Sequence, residues 1–424
     1  MPQLAAHVLL ICIVAASILL MLLRPRGIAE VYWVGGGVLL LLALRLIPLH
    51  LAAHAAAKGT DVYLFLAGMM LLSELARETG IFDWISSIAV RHARSSGRRL
   101  FFLLYLAGIC VTVCMSNDAT AVVLTPAVLA SVRRARIDPL PFLFACAMVA
   151  NAASFVLPIS NPANLVVFHS SLPPLPQWLI AFLVPSVLSI ATTFAVLRFY
   201  FRRQLHASIA TDLQPAELSS DGKLVLIGIG LVVAVLLIAS AFGKDLGLPT
   251  LLAALAITAV SVLHSRVNPL RLAKEISWAT LALVAALFIM VDSVESAGAL
   301  SLTHSAFLYV QRLGPSSGAF LTAFTVGVGN NLINNLPMGL LAANTLSITH
   351  AHGLLANTVL IAVDLGPNLA VSGSLATILW LLALRREGLN VRFRDFLKVG
   401  IFAMPAALLL SIAGLLSLHS LLSK

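Results

Sequence analysis

Charged side chains are scarce in this chain of 424 residues, because Asp, Glu, Lys and Arg together make up only 10% of it. A soluble domain carries about 25%. Hydrophobic residues instead account for 60%, and the mean hydropathy is +1.01. This composition excludes a soluble globular protein and a disordered chain. The apolar runs are continuous rather than alternating, which predicts an all-α polytopic membrane protein and not a β-barrel.

Cysteine is also rare, and the four cysteines exclude a disulfide scaffold. Cys110 and Cys114 lie one helical turn apart, where two thiols could bind a soft ion. Two thiols do not make a zinc site, and cysteine is a common small apolar residue in helix packing, which is the interpretation we favour. The sequence has no loop of the type G-x-x-x-x-G-K-[ST], so ATP hydrolysis by that route is excluded. We therefore expect a protein that is not an enzyme and has no cofactor and no metal centre.

Acidic residues are fewer than basic ones, with 17 Asp and Glu against 27 Lys and Arg. In a soluble protein this excess would suggest a nucleic-acid partner, but in a membrane protein it sets the orientation. If the N-terminus lies outside, 22 of the 27 basic residues fall on the cytoplasmic side and five fall outside. This bias predicts that both termini lie outside, and we expect no nucleic-acid partner.

The apolar runs form two sets of six, which predict two repeats. A shift of 218 residues places Gly80 on Gly298 and Asn117 on Asn335. Such weak internal symmetry is typical of transporters built from two repeats. The predicted domains are a first transmembrane repeat at 1–201, a cytoplasmic linker at 202–222 and a second repeat at 223–424.

Two runs in each half are too long for one crossing and are interrupted by Asn, Pro, Gly or Ser, which break helices. We interpret 100–132 and 316–349 as re-entrant hairpins, and 140–170 and 353–384 as helices broken in the middle. Each half then has five spans and one hairpin, so the second repeat is inverted relative to the first. The prediction is about ten transmembrane helices with two re-entrant hairpins and two broken helices.

The four interruptions should converge near the middle of the bilayer, where irregular backbone persists only inside protein or beside a cavity. None of them contains Lys or Arg, which favours a small uncharged, hydroxyl-rich solute or a cation over an anion. These amides can also satisfy broken backbone, and both roles can hold together. The candidate substrate-binding residues are Ser116, Asn117, Asn161, Asn164, Asn334, Asn335, Asn368 and Ser372.

Asp118 and Asp364 are the acidic residues at these interruptions, one from each half. An ionisable group inside a membrane is expensive and is a candidate for function. We interpret both as proton-coupling residues. For Asp118 the alternative is a carboxylate that caps the helix that starts after it.

Three segments carry a family resemblance. SNDATAVVLTP at 116–126, NAASFVLPISNPANLVV at 151–167 and NNLPM at 334–338 resemble the arsenical-efflux permeases (ArsB type) of the ion transporter superfamily. The resemblance covers essentially the whole chain. It implies a bacterial inner-membrane protein that exports arsenite and antimonite in exchange for protons.

The resemblance also implies a movement of the hairpins and broken helices against a scaffold. In some systems a soluble arsenite-stimulated ATPase subunit docks on the permease, and relatives in the superfamily are often homodimers. Arsenite near neutral pH is the uncharged trihydroxide, which suits a site with amides and no cation.

Two other functions fit parts of the sequence. The first is a sodium-coupled carboxylate transporter of the same superfamily, since carbonyl, Asn and Ser oxygens at helix breaks can bind sodium. Those carriers have Ser-Asn-Thr at the equivalent tips, whereas this chain has Ser-Asn-Asp and Ser-Asn-Pro, and the added acid would repel a carboxylate. The second is a passive metalloid channel, which the acids inside the membrane and the inverted repeat disfavour.

Overall fold

A computed structural model describes residues 3–169, 172–207, 217–264, 268–298, 301–349 and 353–422. Within these ranges the chain forms α-helices, a few short 3₁₀ turns and one π-helical turn, and no strand. The all-α prediction is therefore confirmed.

The described part of each half of the chain contains ten α-helices. Those of the first half are α1 (Gln3–Leu23), α2 (Glu30–Ala43), α3 (Leu49–Lys58), α4 (Thr60–Glu78), α5 (Ile81–His92), α6 (Gly97–Cys114), α7 (Thr125–Arg134), α8 (Leu140–Ala152), α9 (Pro162–Val167) and α10 (Leu175–Tyr200). Those of the second half are α11 (Ser220–Ala241), α12 (Gly247–His264), α13 (Pro269–Glu275), α14 (Trp278–Ser296), α15 (Ser301–Arg312), α16 (Pro315–Ile333), α17 (Asn335–Ile348), α18 (Leu354–Leu365), α19 (Leu375–Arg386) and α20 (Phe393–Leu422).

The helices of the two halves correspond one to one in chain order. α6 and α7 form the first hairpin, and α16 and α17 form the second. α8 with α9, and α18 with α19, are the broken helices. Because α10 ends at Tyr200 and α11 begins at Ser220, this correspondence supports the proposed division into repeats around a linker at 202–222. Residues 208–216 of that linker lie outside the described part.

Among the described residues, seven helices are long and apolar enough to cross a membrane, and the bent pair α3 and α4 makes an eighth. The broken helices and α2 are shorter apolar helices. The apolar run at 28–49 contains α2 and the turn after it, and α3 begins only at Leu49. Arg45 adopts a φ of 52° after α2 ends, and Pro48 precedes α3. The bend between α3 and α4 is 52°.

The helices pack as two groups. The scaffold group comprises α1–α4 and α11–α14, in which α2 packs on α14 and α12 packs on α4. The hairpin group comprises α6–α10 and α16–α20, in which α9 packs on α17, α7 packs on α19, and α10 packs along α20. The contact of α2 with α14 thus has an equivalent in the contact of α12 with α4, and the contact of α9 with α17 has one in that of α19 with α7. Such paired contacts are expected of two repeats related by a pseudo-twofold axis.

Candidate functional site

A small cavity lies where all four interruptions meet. Its lining comes from the two hairpins, at Asn117 to Asp118 and at Asn335 to Leu336. The broken helices contribute Asn161 to Pro162 and Ser374 to Ala376, and the scaffold group closes the opposite wall. This central cavity has a volume of about 20 Å³. The predicted convergence of the four interruptions is confirmed.

The tip of the first hairpin is built around Ser116. Its Oγ accepts a hydrogen bond from the N–H of Ala119 at 3.2 Å. The serine therefore provides the hydrogen-bond acceptor for the first N–H of the next segment. That segment, Ala119–Leu124, is a π-helical turn, a form that is frequent at functional sites. The Thr112 and Thr120 hydroxyls fix this turn to α6 with a bond of 2.8 Å.

Asp118 does not cap the segment that follows it. Its carboxylate makes no capping hydrogen bond, and no other described residue bonds or pairs with it. The side chain is half-buried and lines both the central cavity and a second cavity beside it. The capping interpretation of Asp118 is therefore wrong in this conformation, because Ser116 already does that work. The carboxylate is free to face a solute.

Asn161 joins the two broken helices. Its side-chain oxygen accepts the N–H of Ala163 at 3.0 Å and so caps α9. Its Nδ2 donates to Oδ1 of Asp364 at 2.8 Å. Asp364 is fully buried, and its other oxygen has no partner among the described residues. Asp364 therefore lies behind Asn161 rather than in the lining of the central cavity.

Asn117 and Asn335 occupy equivalent positions at the two hairpin tips. Both side chains are buried and line the central cavity. Oδ1 of Asn117 is buried and has no hydrogen-bond partner within the described ranges, and the Asn335 side chain lies across the cavity from it. A buried amide normally finds a partner. These two amides are thus available to a solute.

Asn334 has a different position from its neighbour. It has φ 74° and ψ 154°, a region that side chains rarely adopt and that clusters at functional sites. Its Oδ1 accepts the N–H of Leu336 at 3.4 Å, and its Nδ2 donates to the Ser372 carbonyl at 3.4 Å. Asn334 lines an adjacent small cavity together with Glu30 of α2. It therefore shapes the hairpin tip beside the central cavity.

Three of the predicted substrate-binding residues brace broken backbone. Asn164 donates to the carbonyls of Ser154, Leu157 and Pro158 at 2.9–3.2 Å. Asn368 donates to the Met148 carbonyl at 3.0 Å and accepts from Asn151 at 2.9 Å. Ser372 donates to the Asn331 carbonyl at 3.0 Å. The structure does not bring Asn164, Asn368 or Ser372 into the cavity lining, because their polar groups already serve the helix breaks.

A second cavity, of about 130 Å³, leads away from Asp118 between α4 and the first hairpin. We call it the access cavity. It passes Met69 and Met70 and reaches Glu74 and Glu275. Within the described part of the chain, neither it nor the central cavity is lined by a lysine or an arginine. Of the two acids, Glu74 is paired with Arg77, so its negative charge is balanced next to the access cavity.

Polar contacts near the end of α14 join it to the second hairpin and to α3. Nδ2 of Asn344, on α17, donates to Glu295 of α14 at 2.8 Å and ties the second hairpin to the scaffold group. Lys58 of α3 pairs with Asp292 close by. The access cavity adjoins the central cavity through Leu66, Asp118, Pro162, Thr280 and Leu375, which line both.

Sequence reasoning missed the scaffold contribution to the site. Thr280 of α14 lines both the central and the access cavity, and Leu66 of α4 does the same. Both lie in uninterrupted apolar runs, so no break marks them. Cys110 is exposed and Cys114 partly exposed on α6, and neither lines the two cavities. Among the described residues no cluster of His, Cys, Asp and Glu could hold a metal ion.

Comparisons with known proteins agree with this architecture. The chain is 26% identical to the arsenical pump membrane protein of Yersinia enterocolitica, over 82% of this chain and 84% of that one. It is also 26% identical to the arsenical pump membrane protein of Escherichia coli K12, over the same shares of the two chains. These relatives confirm the resemblance that the sequence motifs indicate.

A solved structure confirms the fold. The YdaH transporter of Alcanivorax borkumensis superposes with a TM-score of 0.58 at 17% identity, over 86% of each chain. The model of the citrate transporter family (CitMHS) matches residues 4–366. The protein is therefore a multi-pass membrane transporter, and the chain belongs to the citrate transporter family.

Proposed function

We propose that this transporter exports arsenite, and antimonite, across the bacterial inner membrane as the neutral trihydroxide, in exchange for protons. The observation that carries the proposal is the chemistry of the central cavity. It combines the amides of Asn117 and Asn335 with the carboxylate of Asp118 and, among its described lining, no cation. Oδ1 of Asn117 is buried there without a partner among the described residues. The choice of a metalloid as the solute rests on the relatives that are named arsenical pump membrane protein.

A trihydroxide offers three O–H donors and three oxygen acceptors. Amide groups can both donate to and accept from such a solute. A carboxylate substrate would instead need a cationic partner to offset the cost of burying its charge. The site therefore favours a small neutral solute over citrate.

Asp118 is proposed to exchange the proton. It faces both cavities without a partner, so a conformational change could let it take up a proton from one side and release it on the other. Asp364 is the second proposed proton site, and it reaches the cavity through Asn161. In this proposal the proton gradient alone drives export, so neither an ATPase subunit nor a second copy of the chain is required for transport.

The proposed orientation places both termini outside and the access cavity toward the cytoplasm. Two ion pairs between distant segments support the assignment of these segments to the same side of the membrane. Arg133 pairs with Glu387 at 2.9 Å and Arg271 with Glu78 at 3.2 Å. In each pair, the two residues belong to the side predicted to be cytoplasmic. The cavity that opens beside Glu275 would then receive solute from the cytoplasm, as export requires.

The test uses everted membrane vesicles, whose lumen corresponds to the outside of the cell. Arsenite and citrate uptake are each measured with an acidic lumen and with a sodium gradient. We expect arsenite uptake that depends on the acidic lumen, is indifferent to sodium and is not inhibited by citrate. Uptake of citrate driven by sodium would favour the carboxylate carrier instead. Arsenite equilibration indifferent to either gradient would favour a passive channel.

A further inference from the structure

A wide crevice borders the access cavity, with which it shares Ser277, Thr280, Leu375 and Leu379 in its lining. It lies beside α1, between the scaffold group and the hairpin group, and has two adjoining parts. The wider part, of about 600 Å³, carries Arg24 and Arg385 at its lining. The narrower part, of about 410 Å³, runs along α1 from Leu22 to Ile11. Leu22 lines both parts, so they adjoin at this residue, and we call the two together the α1 crevice.

The two ends of the α1 crevice differ in polarity. Every described side chain that lines the narrow part is apolar, including Leu332 and Pro337 at the tip of the second hairpin. The wide part contains Arg24, Glu30 and Arg385 as its charged residues. Arg24 pairs with Glu30, while Arg385 is exposed and has no ion-pair partner among the described residues. The wide end therefore carries a net charge of about one positive unit.

The dimensions match those of a lipid. Helix α1 rises about 18 Å between Ile11 and Leu23, at about 1.5 Å per residue. Half of the hydrocarbon core of a bilayer is about 15 Å. The cationic wide part and the apolar narrow part together complement the charge and the length of a single anionic phospholipid. Basic pockets between transmembrane helices are known to hold anionic head groups.

We propose that an anionic phospholipid occupies the α1 crevice. Its phosphate would lie at Arg385, beside the Arg24–Glu30 pair, and one acyl chain would lie along α1 against the tip of the second hairpin. A lipid at this position would fill the space between two helix groups whose relative position sets the access cavity. The proposal does not depend on which solute the protein carries.

The test measures lipid retention on the purified full-length protein by native mass spectrometry. Phosphatidylglycerol and phosphatidylcholine with the same acyl chains are added in turn. One arginine near the membrane surface is worth about 1 kcal/mol toward an anionic lipid, so we expect about fivefold preferential retention of phosphatidylglycerol. Arg385→Gln should reduce this preference to about one. Arg386→Gln is the matched control, because Arg386 is the adjacent exposed arginine and does not line the crevice.

A second variant tests the apolar part. Ala15 lines the narrow part, so Ala15→Phe should fill it and reduce the retention of both lipids. Ala15→Leu gives the same test with a smaller side chain, and a melting profile of each variant confirms that it is folded. Soluble glycerol phosphate should not displace the lipid.

Three results would overturn the proposal. Equal retention of the two lipids by the unmodified chain would show that the positive charge of the crevice does not select an anionic head group. An equal loss of preference in Arg386→Gln and Arg385→Gln would show that the charge acts non-specifically. Displacement by glycerol phosphate, or full retention in folded Ala15 variants, would indicate a site for the head group alone.

Discussion

Replacing Asp118 by Asn should uncouple transport from the proton gradient. The substitution keeps the size of the side chain and removes its only titratable proton. Because no described residue bonds or pairs with this carboxylate, the change leaves no partner unsatisfied. We expect the free energy of unfolding to change by no more than about 0.5 kcal/mol.

The expected effect on transport is much larger. A gradient of one pH unit is worth about 1.36 kcal/mol per proton, which is a factor of ten. With exchange of one proton per metalloid, the unmodified protein should concentrate arsenite about tenfold per pH unit in everted vesicles with an acidic lumen. The Asp118→Asn variant should only equilibrate it, at a ratio of about one.

The assay measures the accumulation ratio of arsenite at several imposed pH differences. Its slope reports the number of protons exchanged, and a slope of two would add Asp364 as a second proton carrier. Asp83→Asn on α5 is the control, because this carboxylate is exposed and lies outside both cavities. If Asp118→Asn keeps the slope of the unmodified protein, Asp118 does not carry the proton and the coupling argument fails.

Three further predictions concern side chains around the site. Asn161→Ala removes the donor to Asp364 and leaves a buried carboxyl with neither oxygen bonded, so it should cost about 1–3 kcal/mol, seen as a lower melting temperature; an unchanged melting temperature would mean that this bond carries little. Asn334→Gly and Asn334→Ala both lose the bonds to Leu336 and Ser372, but only glycine tolerates φ 74°, so the alanine variant should be less stable than the glycine variant by about 1–3 kcal/mol; equal melting temperatures for the two variants would argue against backbone strain. The double change Cys110→Ser with Cys114→Ser should leave arsenite transport intact, and a loss of transport would return the thiols to the substrate route.

The breaks in the helices could be predicted from the sequence because Asn, Pro and Gly interrupt long apolar runs. No periodicity governs such segments, however, so the direction of each side chain could not be predicted. Asn117 and Asn335 face the cavity, while Asn164 and Asn368 turn into the backbone of the broken helices. Which amide does which depends on partners from distant segments, such as Met148 for Asn368.

The residues that the scaffold group contributes to the cavity could not be predicted from the sequence either. Thr280 is a single hydroxyl in a continuous apolar helix, and only the packing of α14 against the hairpins places it in the cavity. The apolar run at 28–49 is long enough for one span, but α2 ends at Ala43 and the chain turns at Arg45. A positive φ at an arginine leaves no sign in hydropathy.

The central claim is that a neutral metalloid and a proton exchange through the site where the four interruptions meet. The most direct measurement uses the purified protein in vesicles with an acidic lumen and a pH-sensitive dye, without an ATPase subunit. Adding arsenite outside should release protons from the lumen at a rate that scales with arsenite uptake, with or without sodium, and citrate should release none. Arsenite uptake without any proton release would contradict the account.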